Sequence, residues 1–211
     1  MMVEERECKQ CGTCCRKGGP ALHGEDLGLV GRQIALDQLI CVRQGEPSLH
    51  PLAGEARPAR EEFVKVAGKA GSWECLFLSR EGLCRLHPDK PLQCRTLECW
   101  QPQPLLDLLE RDLVKRRHLL EPSSPLLSLI AEQEESCSFA RLTPYLELER
   151  GVDEEFIKLI NLDLKLRERG AKEHGLSLNR ELLFLGRPLF KTLQAAGWHV
   201  WQEGDRLLAR P

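Results

Sequence analysis

Apolar residues recur at helical spacing through the second half of the chain. Leu105, Leu108, Leu109 and Leu113 lie on one face behind Pro104, which suits a first helical position. Residues 126–135 repeat the pattern after Pro122 and Pro125. Residues 152–169 carry it furthest, with Phe156, Leu159, Ile160, Asp163 and Leu166 defining faces. Asp153, Glu154 and Glu155 suit the start of that helix and Gly170 its stop. Residues 188–196 give one more amphipathic helix, closed by Gly197. Residues 198–201 and 206–209, joined across Gly204-Asp205, read as a β-hairpin.

The first half is patterned differently. A short helix is expected over residues 25–30, stopped by Gly31, and a turn or two of helix over 36–43. Residues 63–66 and 73–78 are aromatic- and aliphatic-rich, bounded by glycines, and read as strands; Ser79 to Gly82 supplies a turn. Composition changes at Gln101-Pro102-Gln103-Pro104. The expectation is an α+β protein: a small cysteine-rich, metal-centred region with short strands and helices over 1–103, then a mainly helical region over 104–211 ending in the hairpin. No solenoid-length repeat or low-complexity tract occurs.

Cysteine changes this picture most. Eight of ten cysteines form two groups: Cys8, Cys11, Cys14 and Cys15, then Cys75, Cys84, Cys94 and Cys99. Structural cysteines scatter as small hydrophobes, whereas a metal or cluster needs several thiolates converging on it. A chain of 211 residues can bury a core without disulfide staples. The seven residues before Cys8 are short and acidic and offer no secretory signal, so a reducing, cytoplasmic location is expected. Thirty basic and thirty-two acidic side chains give a net charge of −2, mixed in sign, and no nucleic-acid footprint. The basic run Lys115-Arg116-Arg117-His118 reads as a solvated helix end. No run of eighteen apolar residues marks a membrane span.

Cys8-Lys9-Gln10-Cys11-Gly12-Thr13-Cys14 places three sulfurs three residues apart, a spacing that lets a curled loop aim all three at one centre, as in bacterial ferredoxins. Gly12 permits the tight turn, and Arg16 and Lys17 offset thiolate charge. The ferredoxin Cys-Pro is absent. Cys75, Cys84, Cys94 and Cys99 are separated by eight, nine and four residues and form no Cys-x-x-Cys knuckle, which argues against a simple zinc ribbon. Cys14 and Cys15 point apart in an extended backbone and so suit two centres, or one ligates while the other packs. Eight thiols fill one site with spares, or two sites.

The whole pattern, Cys8-x-x-Cys11-Gly12-x-Cys14-Cys15, Cys75-x-Phe77-Leu78, Cys84, Lys90-Pro91 and Cys94-Arg95-x-Leu97-x-Cys99, resembles the YkgJ-like cysteine-cluster family, described as zinc- or iron-chelating. Residues 19–23 and 43–46 look like stretches of a subgroup. The resemblance spans residues 8–100 and implies that all eight cysteines are ligands. The family usually has Arg at Lys90 and an aromatic at Leu97. Some relatives are flagellin lysine methylases, but no methyltransferase signature is present, and residues 101–211 inherit nothing.

His87, three residues after Cys84, has a ligand-like spacing but reads first as a packing or hydrogen-bonding residue. His23 and His50 read as surface groups, and Cys41 and Cys137 as buried or idle thiols. Trp73 and Trp100, flanking the second cysteine group, read as core, or more sharply as a hydrophobic shell for the centre. No phosphate loop, nucleophile elbow or dinucleotide fingerprint occurs. The expected function is metal binding, through an iron–sulfur cluster, with [4Fe–4S] slightly preferred, or through zinc. Rivals are an enzyme such as a protein methylase, and an adaptor or metal chaperone that docks a protein partner on the leucine-rich helices.

Overall fold

The structure is a computed structural model that describes residues 8–49, 54–87 and 89–211. His50 lies outside the described residues. In chain order the elements are α1 (Thr13–Arg16), β1 (Leu39–Val42), β2 (Pro47–Leu49), β3 (Ala56–Pro58), β4 (Phe63–Val66), α2 (Leu92–Thr96), α3 (Gln103–Leu108), α4 (Leu126–Ser136), α5 (Phe139–Leu146), α6 (Glu154–His174), α7 (Leu178–Phe184), α8 (Leu189–Ala195), β5 (His199–Glu203) and β6 (Arg206–Arg210). Single 3-10 turns occupy Gly24–Leu29, Leu36–Gln38 and Arg116–Leu119. The mixture is α+β. Among the described residues, no helix is long and apolar enough to cross a membrane.

The chain divides into two compact units. One comprises residues up to Leu39 together with Val64–Val114; the other comprises Ile40–Phe63 together with Lys115–Pro211.

The first unit is held by backbone bonds among three distant segments. Leu22 N–H donates to Val64 O (2.9 Å), Val64 N–H to Val114 O (2.8 Å) and Val114 N–H to Leu22 O (2.9 Å), closing a ring. All three side chains are fully buried. Gly19 runs so close to this seam that a Cβ there would fall 2.3 Å from Val66 O. Buried Asp26 accepts from His23 N–H at 2.9 Å and from Leu92 N–H at 2.8 Å, pinning the first residue of α2. Gln93 Oε1 accepts from Ala21 N–H at 2.7 Å. His23 is only 1% exposed and donates from Nδ1 to Arg111 O at 2.7 Å, which corrects its reading as a surface group. A buried carbonyl needs a donor, and the ring supplies it.

The span 73–78, expected as a strand, is a chain of turns. Leu78 N–H donates back to Cys75 O at 3.0 Å, and pairing is limited to isolated bridges of Gly68 with Cys75 and Leu78 with Cys84. Its apolar residues are packing residues, since Phe77 and Leu78 are buried; their spacing says nothing about extension. The Ser79–Gly82 turn forms as expected, with Ser79 N–H donating to Leu83 O at 2.8 Å. Cys41 lies on β1 and not in a helix, because the helical turn stops at Gln38.

In the second unit α6 is the axis. Asp153 caps it by accepting from Phe156 N–H at 2.8 Å, and Gly175, at φ 61°, ends it. The expected stop at Gly170 is therefore overturned. A Cβ at Gly170 would meet Leu176 at 3.0 Å and Leu129 and Leu185 at 3.3 Å, so this glycine admits leucines against the helix. Tyr145, Phe156 and Trp198 pack in sequence as tilted rings with centroids 4.7 and 5.3 Å apart. Asn161 clamps the terminal hairpin, donating to Leu207 O and accepting from Leu207 N–H, each at 2.8 Å. The β2–β3 pair, registered Ser48 to Arg57, closes the list of hairpins among the described residues.

Within the basic run Arg117 and His118 are exposed, but Arg116 is not a solvated cation. Arg116 is 1% exposed; it is paired with Glu62, donates from Nη2 to Glu134 at 2.7 Å and donates from Nη1 to Phe184 O at 3.0 Å. Arg43, also buried, donates to Glu134 through Nε (2.7 Å) and Nη2 (3.1 Å) and to Cys137 O. Burial alone would raise the Glu134 carboxyl, but the hydrogen bonds and charges of Arg43 and Arg116 outweigh it and hold it below the usual carboxylate range. A depressed folded-state pKa contributes stability that is present above the unfolded value, near 4.5, and is lost as pH falls through the folded value. Glu46, buried beside Arg187 and Arg43, is shifted upward by burial and works in the opposite sense. Glu134→Gln is thus expected to flatten the acid limb of the stability–pH curve below about pH 4.5, read by denaturant unfolding across pH 3 to 7. An acid limb as steep as that of the parent protein would refute the assignment.

Candidate metal centre

Two short elements and three turns bring the cysteines together. Cys14 and Cys15 sit on α1, which Gly12 starts at φ 72°, in the left-handed region where a side chain is strained. A Cβ on Gly12 would stand 2.9 Å from Gly82 O, so this loop lies directly on the turn that precedes Cys84. Arg16 fastens the loop by donating from Nη1 to Cys11 O at 3.0 Å and from its backbone to Gly12 O. Cys75 N–H donates to Cys15 O at 2.7 Å, joining the two cysteine groups through their backbones. Cys94 rides on α2, held by the Asp26 and Gln93 bonds, and Cys99 lies in the turn where Glu98 bridges Gln101.

The result is a cavity of about 610 Å³ edged by Cys8, Cys11, Cys14, Cys15, Cys84, Cys94 and Cys99. Cys75 is not at its wall; it is 5% exposed, and its charge is felt by Cys15 and Cys94. His87, Lys90, Leu97 and Trp100 complete the rim. His87 therefore stands beside the thiols, a place its spacing from Cys84 had flagged. Cys41 and Cys137 are buried elsewhere, in the second unit. Burial raises both thiols, Cys137 to about 12. Trp73 is 73% exposed and Trp100 37%, so the reading of both as core residues is corrected; Trp100 instead borders the cavity.

Ionisation is disfavoured at Cys15, Cys75, Cys94 and Cys99 and favoured at Cys11 and Cys14. The Cys14 thiol is lowered to about 6, first by a hydrogen bond with Cys15, 3.9 Å away, with Lys90 also helping. Cys15 is raised by the same bond, then by burial and by the charges of Cys14, Cys75 and Cys94. Burial followed by neighbouring thiolates raises Cys94, Cys75 and Cys99. Thr13, whose hydroxyl lies 3.2 Å from the sulfur, lowers Cys11. Few of these groups ionise beside the others until positive charge arrives, and thiophilic ions supply it. Among the described residues, no three Cys, His, Asp or Glu side chains stand close enough to hold an ion. The donor chemistry fits: soft sulfur, a charge deficit that a cation cancels, and glycine where the loop must approach.

Lys90 was legible in the sequence only as a departure from the family pattern. It stands at the cavity edge, where its charge acts on Cys14 and Cys94.

A thiol-lined cavity of this kind defines a metal-chelating protein suited to zinc and iron. The chain belongs to the CxxCxxCC family, described as a putative zinc- or iron-chelating domain, whose model matches residues 7–116. No curated protein and no solved structure matches the chain.

Proposed function

We propose that this protein holds iron as an iron–sulfur cluster, with [4Fe–4S] preferred over zinc, and serves a redox or electron-transfer role in the cytoplasm. Cys8, Cys11, Cys14, Cys15, Cys75, Cys84, Cys94 and Cys99 are its ligand set. The observation behind this is that both cysteine groups, some sixty residues apart in the chain, border one cavity through seven of their eight members. The preference for iron–sulfur rests on the Cys8-x-x-Cys11-x-x-Cys14 spacing, which suits the wide geometry of a cluster.

A bound cluster would supply a one-electron couple. The chain's own residues tune it: Lys90 and Arg16 bring positive charge, and Leu97 and Trp100 limit water at the rim. Ten unpaired thiols require a reducing environment, which the cytoplasm provides.

Anaerobically purified protein is expected to contain iron, acid-labile sulfide and broad visible absorption that bleaches on reduction. Stoichiometric zinc without iron would overturn the iron–sulfur reading and leave the ligand set standing.

A further inference from the structure

We infer that the eight cysteines form two separate four-thiolate sites, an inner one from Cys15, Cys75, Cys84 and Cys94 and an outer one from Cys8, Cys11, Cys14 and Cys99. This rests on the metal-binding reading and goes further by dividing the donors.

Burial separates the groups first. Cys8, Cys11, Cys14 and Cys99 are exposed, Cys15, Cys84 and Cys94 are half-buried, and Cys75 is buried.

The scaffolds differ too. Three of the inner four are tied by backbone bonds, Cys75 N–H to Cys15 O, the Leu78–Cys84 bridge and Arg85 N–H to Phe77 O at 2.9 Å, while α2, which carries Cys94, is fixed through Asp26. The outer four come from the three-residue-spaced loop, bent by positive φ at Gln10 and Gly12, and from the Cys99 turn.

Cys14 and Cys15 mark the border. Consecutive residues on a helical turn project about 100° apart, so each faces a different side although their sulfurs are 3.9 Å apart. Cys14 is exposed and Cys15 half-buried, which assigns Cys14 outward. Four donors complete a tetrahedral ion or a cluster, so a single centre would leave half of these thiols idle.

The test uses the full chain purified anaerobically. Metal content is compared between the parent and the double variant Cys8→Ser/Cys99→Ser, and thiols protected from maleimide are mapped by peptide mass. The double variant should lose one share of metal, expose Cys11 and Cys14 to maleimide, and keep Cys15, Cys75, Cys84 and Cys94 protected until denatured with chelator. Adding Cys14→Ser should remove no more metal. Loss of all metal, retention of all metal, or early labelling of Cys75 and Cys94 would overturn the division. Should the double variant not fold, Cys14→Ser alone is read the same way: loss of the outer share supports the division and loss of all metal overturns it. A parent protein without stoichiometric zinc or iron would instead sink the metal-binding reading itself.

Discussion

Stripping the metal from the protein at pH 7 with excess chelator is expected to unfold the surroundings of the cysteines while leaving α4 to α8 intact. Thiolate-bound zinc in small domains contributes on the order of 10 kcal/mol, as much as the total stability of many domains. Residues 8–18 and 75–100 contain little regular secondary structure of their own. α1 has four residues and α2 five, and the remaining pairing there consists of isolated bridges. Helices this short are not stable by themselves. Hydrogen exchange read by mass spectrometry should speed up by at least tenfold across both cysteine segments, with α6 amides still protected. Unchanged exchange after confirmed metal loss would show that the fold stands without it.

Arg116→Ala is expected to destabilise the second unit by about 3–5 kcal/mol, the range for breaking a buried ion pair by deleting one partner. The loss goes beyond one pair. Arg116 is the donor for Glu62, Glu134 and the Phe184 carbonyl, and without it two part-buried carboxylates confront each other across an emptied site. Arg116→Lys should restore only a fraction, since a single ammonium cannot span three acceptors in a plane. Urea unfolding followed by the Trp198 environment would measure both variants. A loss under about 1 kcal/mol for the alanine variant would reduce the network to the weight of a surface ion pair.

Where apolar periodicity was long, the chain's elements were legible. α4, α6, α8 and the terminal hairpin lie where spacing and turn residues put them. Their ends were less so: Gly170 looked like a stop, but only the packing of Leu129, Leu176 and Leu185 reveals why a glycine sits mid-helix. α5 escaped notice because Pro144 lies inside it. Arg116 resembled a solvated cation because its carboxylate partners, Glu62 and Glu134, lie 54 and 18 residues away. His23 looked superficial for the same reason, its acceptor being Arg111. The cysteine convergence was legible from composition and spacing. The assignment of Cys75 behind the wall, and of Lys90 at it, depends on bonds such as Cys75 to Cys15 that no local pattern encodes.

The ring of bonds among Leu22, Val64 and Val114 sets a timetable for biosynthesis. Cys8 leaves the ribosome first, yet the segment that completes its unit is translated about a hundred residues later. At ~5–20 residues per second, the early thiols wait roughly 5 to 20 seconds on an unfinished nascent chain. During that interval they are open both to oxidants and to whatever factor delivers the metal.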